Sequence, residues 1–561
     1  MPRTRARVLL GGNVCICDGS GARGDAIAWQ NDRVLAVGGA EDVLTVAGPD
    51  AEVTDVGGRT ILPGFIDAHH HASIVALYGG SARLVPPAVT DIASLQAILR
   101  EAARRSGNGW VVATDWDEAL LVEGRAPTRQ ELDDAVPDRP VFALHYSCHR
   151  AVVNSRALEA VGIDHASVDP VGGEIVRGKN GSPTGLLIER AMSRAERRAR
   201  ESLIATDVEG FFERLAAHYR ALVAAGITRV VDATVPTDLA VLYREANRRG
   251  LLTIPTVIMP VSTTGYLEAP WDALESTPTG ETEGALEIGP VKLVFDGAPS
   301  CAMCLGWWQT GGVFVRTLAM SLRQGTLAPI KVSLSLAPRI GQKLRTGILL
   351  YQPEEAQSIV RAACDRGFSI ATHAIGNEAI AAALGAYEAA GPDLHRTGKA
   401  RLEHVSFVDR ELVKRIADLG AAAVMQPHFV HLPALEHAPT IPGIRYTPLR
   451  WLLDAGVTVA GSSDFPVASF DPLDGIRSAV QRRSRQGEVR EPDQRIRIDE
   501  AILMYTKTAA EVTGANSRCG TLTAGKRADL VVLDRPLDTD SLDSVRVQAT
   551  VVGGKLVHGE L

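Results

Sequence analysis

The sequence predicts an α/β fold: a TIM-type (β/α)8 barrel, a β-sandwich formed by the N- and C-terminal segments, and a subdomain inserted after barrel strand 1. Three observations predict it. Eight short β-like runs, at 61–68, 227–234, 253–259, 287–296, 368–374, 400–407, 420–427 and 457–464, alternate with helical segments, as parallel strands with crossover helices do. Both chain ends instead alternate apolar and polar residues between glycines, as in Arg33–Gly38 and Ala528–Leu533. Neither end alone has enough strands to bury a face, which suggests one sandwich shared between them. Finally, residues 69–226 separate the first run from the second, far more than a simple βα connection takes.

The division that follows is 1–60 with 515–561 for the sandwich, 61–74 with 206–514 for the barrel, and 75–205 for an insertion over the barrel mouth. Residues 297–352, with Gly306-Trp307-Trp308 and Gly311-Gly312, form a second long excursion and a candidate lid. Helices fit the gaps. Pro353-Glu354-Glu355 opens one with proline early and acids in the first turn, and Arg366-Gly367 closes it.

Acidic residues number 66 against 59 basic ones, a net charge of -7 with no long run of one sign. That balance argues against nucleic acid and anionic membranes as partners. No apolar run reaches the roughly 18 residues of a membrane span, and Met1–Leu10 lacks the apolar stretch of a signal peptide. The expected location is cytoplasmic. Seven cysteines, an odd number spread from Cys15 to Cys519, read as reduced thiols rather than a disulfide framework. Cys301-Ala302-Met303-Cys304 spells C-x-x-C, but a single pair without thioredoxin-like surroundings argues against a redox role.

Only 14 histidines are present, and several fall at the carboxyl ends of predicted strands, where barrel enzymes build their active sites. The first strand ends Asp67-Ala68-His69-His70-His71. Residues two apart share a strand face, so His69 and His71 can point inward together while His70 points away. Two imidazoles at that spacing can bind one divalent metal. Asp67 shares their parity and is placed to orient an imidazole. Strand five carries His373, strand six His404, and strand eight ends Ser463-Asp464. Singly, each histidine reads as a buried structural residue; at matching strand ends they read as one site. Lys292 lies within an otherwise apolar fourth strand. A buried ammonium must be paired, deprotonated or chemically altered, and Asp296 offers the ion-pair reading.

With these residues in place the chain resembles the amidohydrolase superfamily, in the branch called amidohydrolase family 3, which includes N-substituted formamide deformylase-like enzymes. The resemblance covers nearly the whole chain. It rests on Pro63–His71, the lysine strand ending Asp296-Gly297, His373, His404 and Ser463-Asp464. In the insertion it rests on Pro127-Thr128-Arg129, Pro137–Val141, His149 with Val153-Asn154-Ser155, and Gly172-Gly173 followed by Gly181–Gly185. Leu522–Asp529 completes it.

The resemblance implies that His69, His71, His373, His404 and Asp464 ligate one or two divalent metals, zinc above all, and that Lys292, once carbamylated, bridges two. Asp464 would also carry a proton from metal-activated water to the leaving group. His149, Asp296, Trp307 and His428 are candidate substrate contacts, although Ser147-Cys148 stands before His149 where the family pattern has aspartate and glycine. The implied substrate is a small amide, formamide, carbamate or cyclic amide, and a homodimer is consistent with the family. Ester or lactone hydrolysis uses the same site. Metal-assisted isomerisation or decarboxylation, and a catalytically silent barrel, are the other readings kept open.

Overall fold

The structure is a computed structural model that describes residues 5–105, 107, 109–297, 301–324, 339–340, 343–391, 394, 400–432 and 440–561. Part of the predicted lid, 298–300, 325–338 and 341–342, lies outside the described residues.

At the centre is a TIM-barrel-like α/β fold made of two parallel half-sheets. Its strands are β1 (Phe65–His70), β2 (Ile227–Val235), β3 (Thr256–Pro260), β4 (Val291–Val294), β5 (Ile370–Ala374), β6 (Ala400–His404), β7 (Ala422–Met425) and β8 (Val459–Gly461). One half-sheet orders β1-β2-β3 and then Leu286–Ile288; the other orders β4-β5-β6-β7-β8. Every residue of the eight is buried except Pro260 and Ala422. Strands covered on both faces are near-continuously apolar, which is why these runs stand out in the sequence.

Two predicted strands prove composite. The run 61–68 divides at Gly64: Thr60–Pro63 pairs antiparallel with Leu530–Leu533, whereas Phe65–His70 pairs parallel with β2. Gly64 passes so close to β2 that a Cβ there would lie 2.2 Å from Thr228 Cγ2. The run 287–296 divides at Gly289-Pro290. Leu286–Ile288 pairs with β3 and Val291–Val294 with β5. Proline has no N–H to give a ladder, so the chain changes partners there.

The half-sheets meet between β8 and β1, and among the described residues no ladder joins those two strands. Two backbone bonds just beyond the strand ends take its place: Asp464 N–H donates to the His69 carbonyl (2.8 Å) and His71 N–H to that of Phe465 (3.1 Å).

The chain ends share a sheet. Asn13–Cys15, Thr60–Pro63, Leu530–Leu533, Val547–Val552 and Lys555–Gly559 stand side by side in it. A second sheet holds Ala26–Gln30, Arg7–Leu10 and their neighbours. Val14, Ile61, Leu530 and Val551 pack with Leu9, Ile27 and Trp29 into one core between the two. After β1 come the short helix α1 (Ala72–Tyr78), a six-stranded sheet drawn from Ala82 to Glu189, and the long helix α2 (Ser193–Ala224), which leads into β2.

Gly64→Ala tests the crossing between sheets. Forcing a methyl against Thr228 is expected to destabilise by about 1–3 kcal/mol, read as a lowered thermal midpoint; an unchanged midpoint would contradict the close approach.

A candidate metal centre at the strand ends

β1 delivers the first two groups. His69 Nε2 lies 3.3 Å and His71 Nε2 2.9 Å from the same oxygen, Oδ1 of Asp464. Their ligand atoms all fall within 4.8 Å of one another. His71 sits one residue past the strand, with φ -135° and ψ 61°, and opens α1. Asp464 follows β8 in a left-handed conformation, φ 55°, that side chains rarely adopt. The bonds between β1 and β8 hold it there.

Two more imidazoles close on this pair. The His404 ring centre is 4.9 Å from that of His69 and 4.4 Å from that of His373. His404 Nδ1 donates to the Gln426 side-chain oxygen (2.9 Å), which leaves its Nε2 bare. The buried Nε2 of His373 and Nδ1 of His71 have no hydrogen-bond partner among the described residues. Orphaned buried nitrogens of this kind call for a ligand or a cation.

Electrostatics keep the set ready to bind. Burial holds the His404 imidazole down to about 3 and, with repulsion from His404 and His149, holds His373 well below the ordinary histidine value. Both are neutral, as metal ligation requires. Burial alone would raise the Asp464 carboxyl, but the His69 and His71 imidazoles beside it override that and hold the group well below the usual range. Burial lowers Lys292 to about 8, against the pull of Glu403 and Asp464.

The structure adds Glu403. Its carboxylate accepts the Nδ1–H of His69 in a short bond and is gripped by Arg401, whose Nε and Nη2 lie 2.5 and 3.1 Å from its two oxygens. Arg401 also donates to the Ala68 carbonyl (2.7 Å), tying β6 to β1. Arg401 and Glu403 share a strand face within an otherwise apolar run. The reasoning that flags Lys292, a charge inside an apolar strand, applies equally to them.

Other predicted residues fall differently. Asp67 serves the opposite side of β1 from the metal candidates: it accepts from His70 Nδ1 (3.0 Å), from Ser463 Oγ (2.5 Å) and from the backbone N–H of Ser463 (3.0 Å). His70 faces away from the cluster, its Nε2 2.7 Å from that of His218. Among the described residues no ion pair joins Lys292 to Asp296. Asp296 lies beyond the end of β4 and accepts the N–H groups of Ala302, Ile375 and Gly376, each at 2.9 Å; burial pushes its carboxyl up to about 7. It also stands 3.6 Å from His373 Nε2.

His149 reaches in from the insertion, its ring 5.2 Å from His373, and its Nδ1 meets Glu189 at 2.8 Å. Burial disfavours the cation, but Glu189 outweighs it and raises His149 above the ordinary value. His428 is buried in the short turn Pro427–His431, and the charges that act on it are Asp67, Asp474 and His431 rather than the cluster. Trp307 and Trp308 open helix α3 (Trp307–Gln324) and are 62 % and 84 % exposed, so they present their rings to solvent and not to the histidines. Seven cysteines are free, Cys301 and Cys304 among them.

Asp117, Glu118 and His145 in the insertion also converge closely enough for an ion. There Arg150 already supplies the cation, donating to both Glu118 oxygens (2.9 and 3.1 Å) and meeting His145 Nε2 at 2.8 Å.

A barrel-like fold with neutral imidazoles and an ionised aspartate buried at its strand ends offers a donor set for a divalent metal at the place where barrel enzymes build their sites. Residues 52–558 match the amidohydrolase family model, and the chain belongs to that family. It is 31 % identical over 569 residues to N-substituted formamide deformylase of Arthrobacter pascens, covering 99 % of each chain. The fold matches an uncharacterized metal-dependent hydrolase from Pyrococcus furiosus with TM-score 0.66 at 24 % identity, over 95 % of this chain and 99 % of that one. It also matches atrazine chlorohydrolase TrzN from Arthrobacter aurescens TC1, complexed with zinc, with TM-score 0.50 at 15 % identity, over 99 % and 95 %. The protein is an enzyme, a hydrolase acting on carbon–nitrogen bonds other than peptide bonds. No helix among the described residues is long and apolar enough to cross a membrane.

Glu403→Ala strips Arg401 of its buried partner and is expected to destabilise by about 3–5 kcal/mol, measured as a shift in urea midpoint. A loss below about 1 kcal/mol, the size of an exposed pair, would contradict the buried clamp.

Proposed function

We propose that this chain is a metal-dependent hydrolase of small amide-type substrates, with N-substituted formamides the first class to test. In this reading His69, His71, His373, His404 and Asp464 would hold one or two divalent ions, zinc foremost, and Lys292, once carbamylated, would add an oxygen ligand. The observation that carries it is the convergence of His69 and His71 on Asp464 beside the orphaned nitrogens of His71 and His373. Imidazole nitrogen with one carboxylate is a donor set that suits zinc. The units around the site are proposed as a barrel, a shared terminal sandwich and an inserted subdomain, with the boundaries expected from the sequence moved to Gly64 at the first strand.

When bound, such an ion supplies Lewis acidity, polarising a carbonyl and bringing the pKa of water toward ~7. The protein does the rest. Glu403 fixes His69 with its proton on Nδ1, so Nε2 faces Asp464; Gln426 does the same for His404. Asp464, ionised, takes the proton of the attacking water and delivers it to the leaving nitrogen. His149, its pKa raised by Glu189, donates a hydrogen bond to the substrate carbonyl oxygen as charge develops there. Lys292, lowered to about 8, has a neutral fraction able to attack carbon dioxide: an N–C bond forms, the nitrogen loses its proton, and the carbamate carries the negative charge.

The test is hydrolysis of an N-alkyl formamide by zinc-loaded protein, following amine and formate in isotopically labelled water. Label is expected in formate, and Asp464→Asn is expected to lower kcat by roughly 10²–10⁴-fold. Undiminished turnover in that variant, or formate without label, would contradict the reading. A chelator is expected to abolish turnover and added zinc to restore it.

A further inference from the structure

Behind the candidate metal ligands lies a second, drier pair of histidines. His70 points away from the cluster, and its Nε2 is 2.7 Å from Nε2 of His218, a buried residue on α2. One proton occupies that bond. His70 Nδ1 lies 2.9 Å from Ser463 Oγ and 3.0 Å from the Asp67 carboxylate; because the Ser463 hydroxyl gives its own proton to Asp67 (2.5 Å), Nδ1 carries one of its own. His70 and His218 thus share one hydrogen bond through their Nε2 atoms. Burial, reinforced by repulsion from His70, holds His218 down to about 3, so it is the neutral imidazole that pairs with His70.

The environment isolates this bond. Phe465 lies face-on to both imidazoles, 5.6 Å from His70 and 5.4 Å from His218, and Phe470 packs edge-on against both. His70 is fully buried and His218 nearly so, and a hydrogen bond in such low-dielectric surroundings is stronger and more costly to lose. What the pair supports is the left-handed turn after β8. Asp67, steadied by His70, accepts from both the hydroxyl and the N–H of Ser463 and from the N–H of His69 (3.3 Å). Ser463 Oγ in turn accepts the N–H of Phe465 (3.0 Å). Asp464 lies between these two anchored residues and across from His69, where β1 and β8 have no ladder.

We infer that His218 is a positioning residue: by its hydrogen bond to His70 it fixes the His70–Asp67–Ser463 chain, and that chain holds the Asp464 carboxylate against His69 and His71. The inference rests on the reading that Asp464 helps hold the metal. It makes a helix of the insertion side part of the metal site without contact to the metal.

The test is zinc affinity by competition with a chromogenic chelator, on full-length protein, for His218→Phe and His218→Gln. Phenylalanine keeps the ring packing against Phe465 and Phe470 and removes the hydrogen-bonding nitrogen; glutamine restores a polar partner. The expected result is about tenfold weaker zinc binding in His218→Phe, recovered in His218→Gln. Wild-type affinity in His218→Phe overturns the inference, and so does equal weakening in both variants, because packing rather than the hydrogen bond would then be responsible. Asp464→Asn, run in parallel, separates the two claims. Wild-type affinity there removes the metal assignment itself, whereas weakened binding there with an unaffected His218→Phe removes only the positioning role.

Discussion

The bond from the Asp464 N–H to the His69 carbonyl closes the structure at the place where its sheet does not. β1 and β8 are neighbours without a ladder, so their register is set by a few bonds beyond their ends. Those same residues carry the candidate metal ligands. A regular ladder would keep Asp464 in extended conformation; the irregular junction lets it turn to φ 55° and present its carboxylate to two imidazoles. Strain of this kind persists only where surrounding contacts over-determine it.

Those contacts are buried and charged on both sides of β1. Inward, Arg401, Glu403 and His69 form one chain that ties β6 to β1. Outward, Asp67, Ser463, His70 and His218 form another that ties β8 to α2. Isolated charges in such surroundings are costly, so each must be answered by a partner. Lys292 feels the opposite charges of Glu403 and Asp464, which only partly offset its burial. A cluster with spare donor atoms is suited to recruit a cation, and a lysine lowered to about 8 has a neutral fraction open to chemical modification.

Much of this was legible in the sequence, for physical reasons. Doubly covered parallel strands are apolar runs, so β1 to β8 can be counted, and a polar residue at the end of such a run stands out, as His69, His373, His404 and Asp464 do. Partner changes were not legible: the runs 61–68 and 287–296 each read as one strand because an apolar stretch carries no record of which neighbour it pairs with. Gly64 and Gly289-Pro290 were the available signals. Side-chain direction at strand ends was likewise hidden, since Asp67 shares parity with His69 yet serves the opposite side once the ladder breaks. Glu403 could have been found by the argument applied to Lys292. Glu189 and His218 could not, because each acts through a histidine distant in sequence. Trp307 was chosen for its chemistry alone, and the structure leaves it largely exposed.

The central claim is that the β1 histidines and Asp464 share a metal ion. Anomalous X-ray scattering at the zinc edge, from crystals of zinc-loaded protein, tests it most directly. The account predicts a peak within roughly 2.0–2.2 Å of His69 Nε2, His71 and an Asp464 oxygen. A peak at Asp117, Glu118 and His145 instead, or none in active protein, would contradict it.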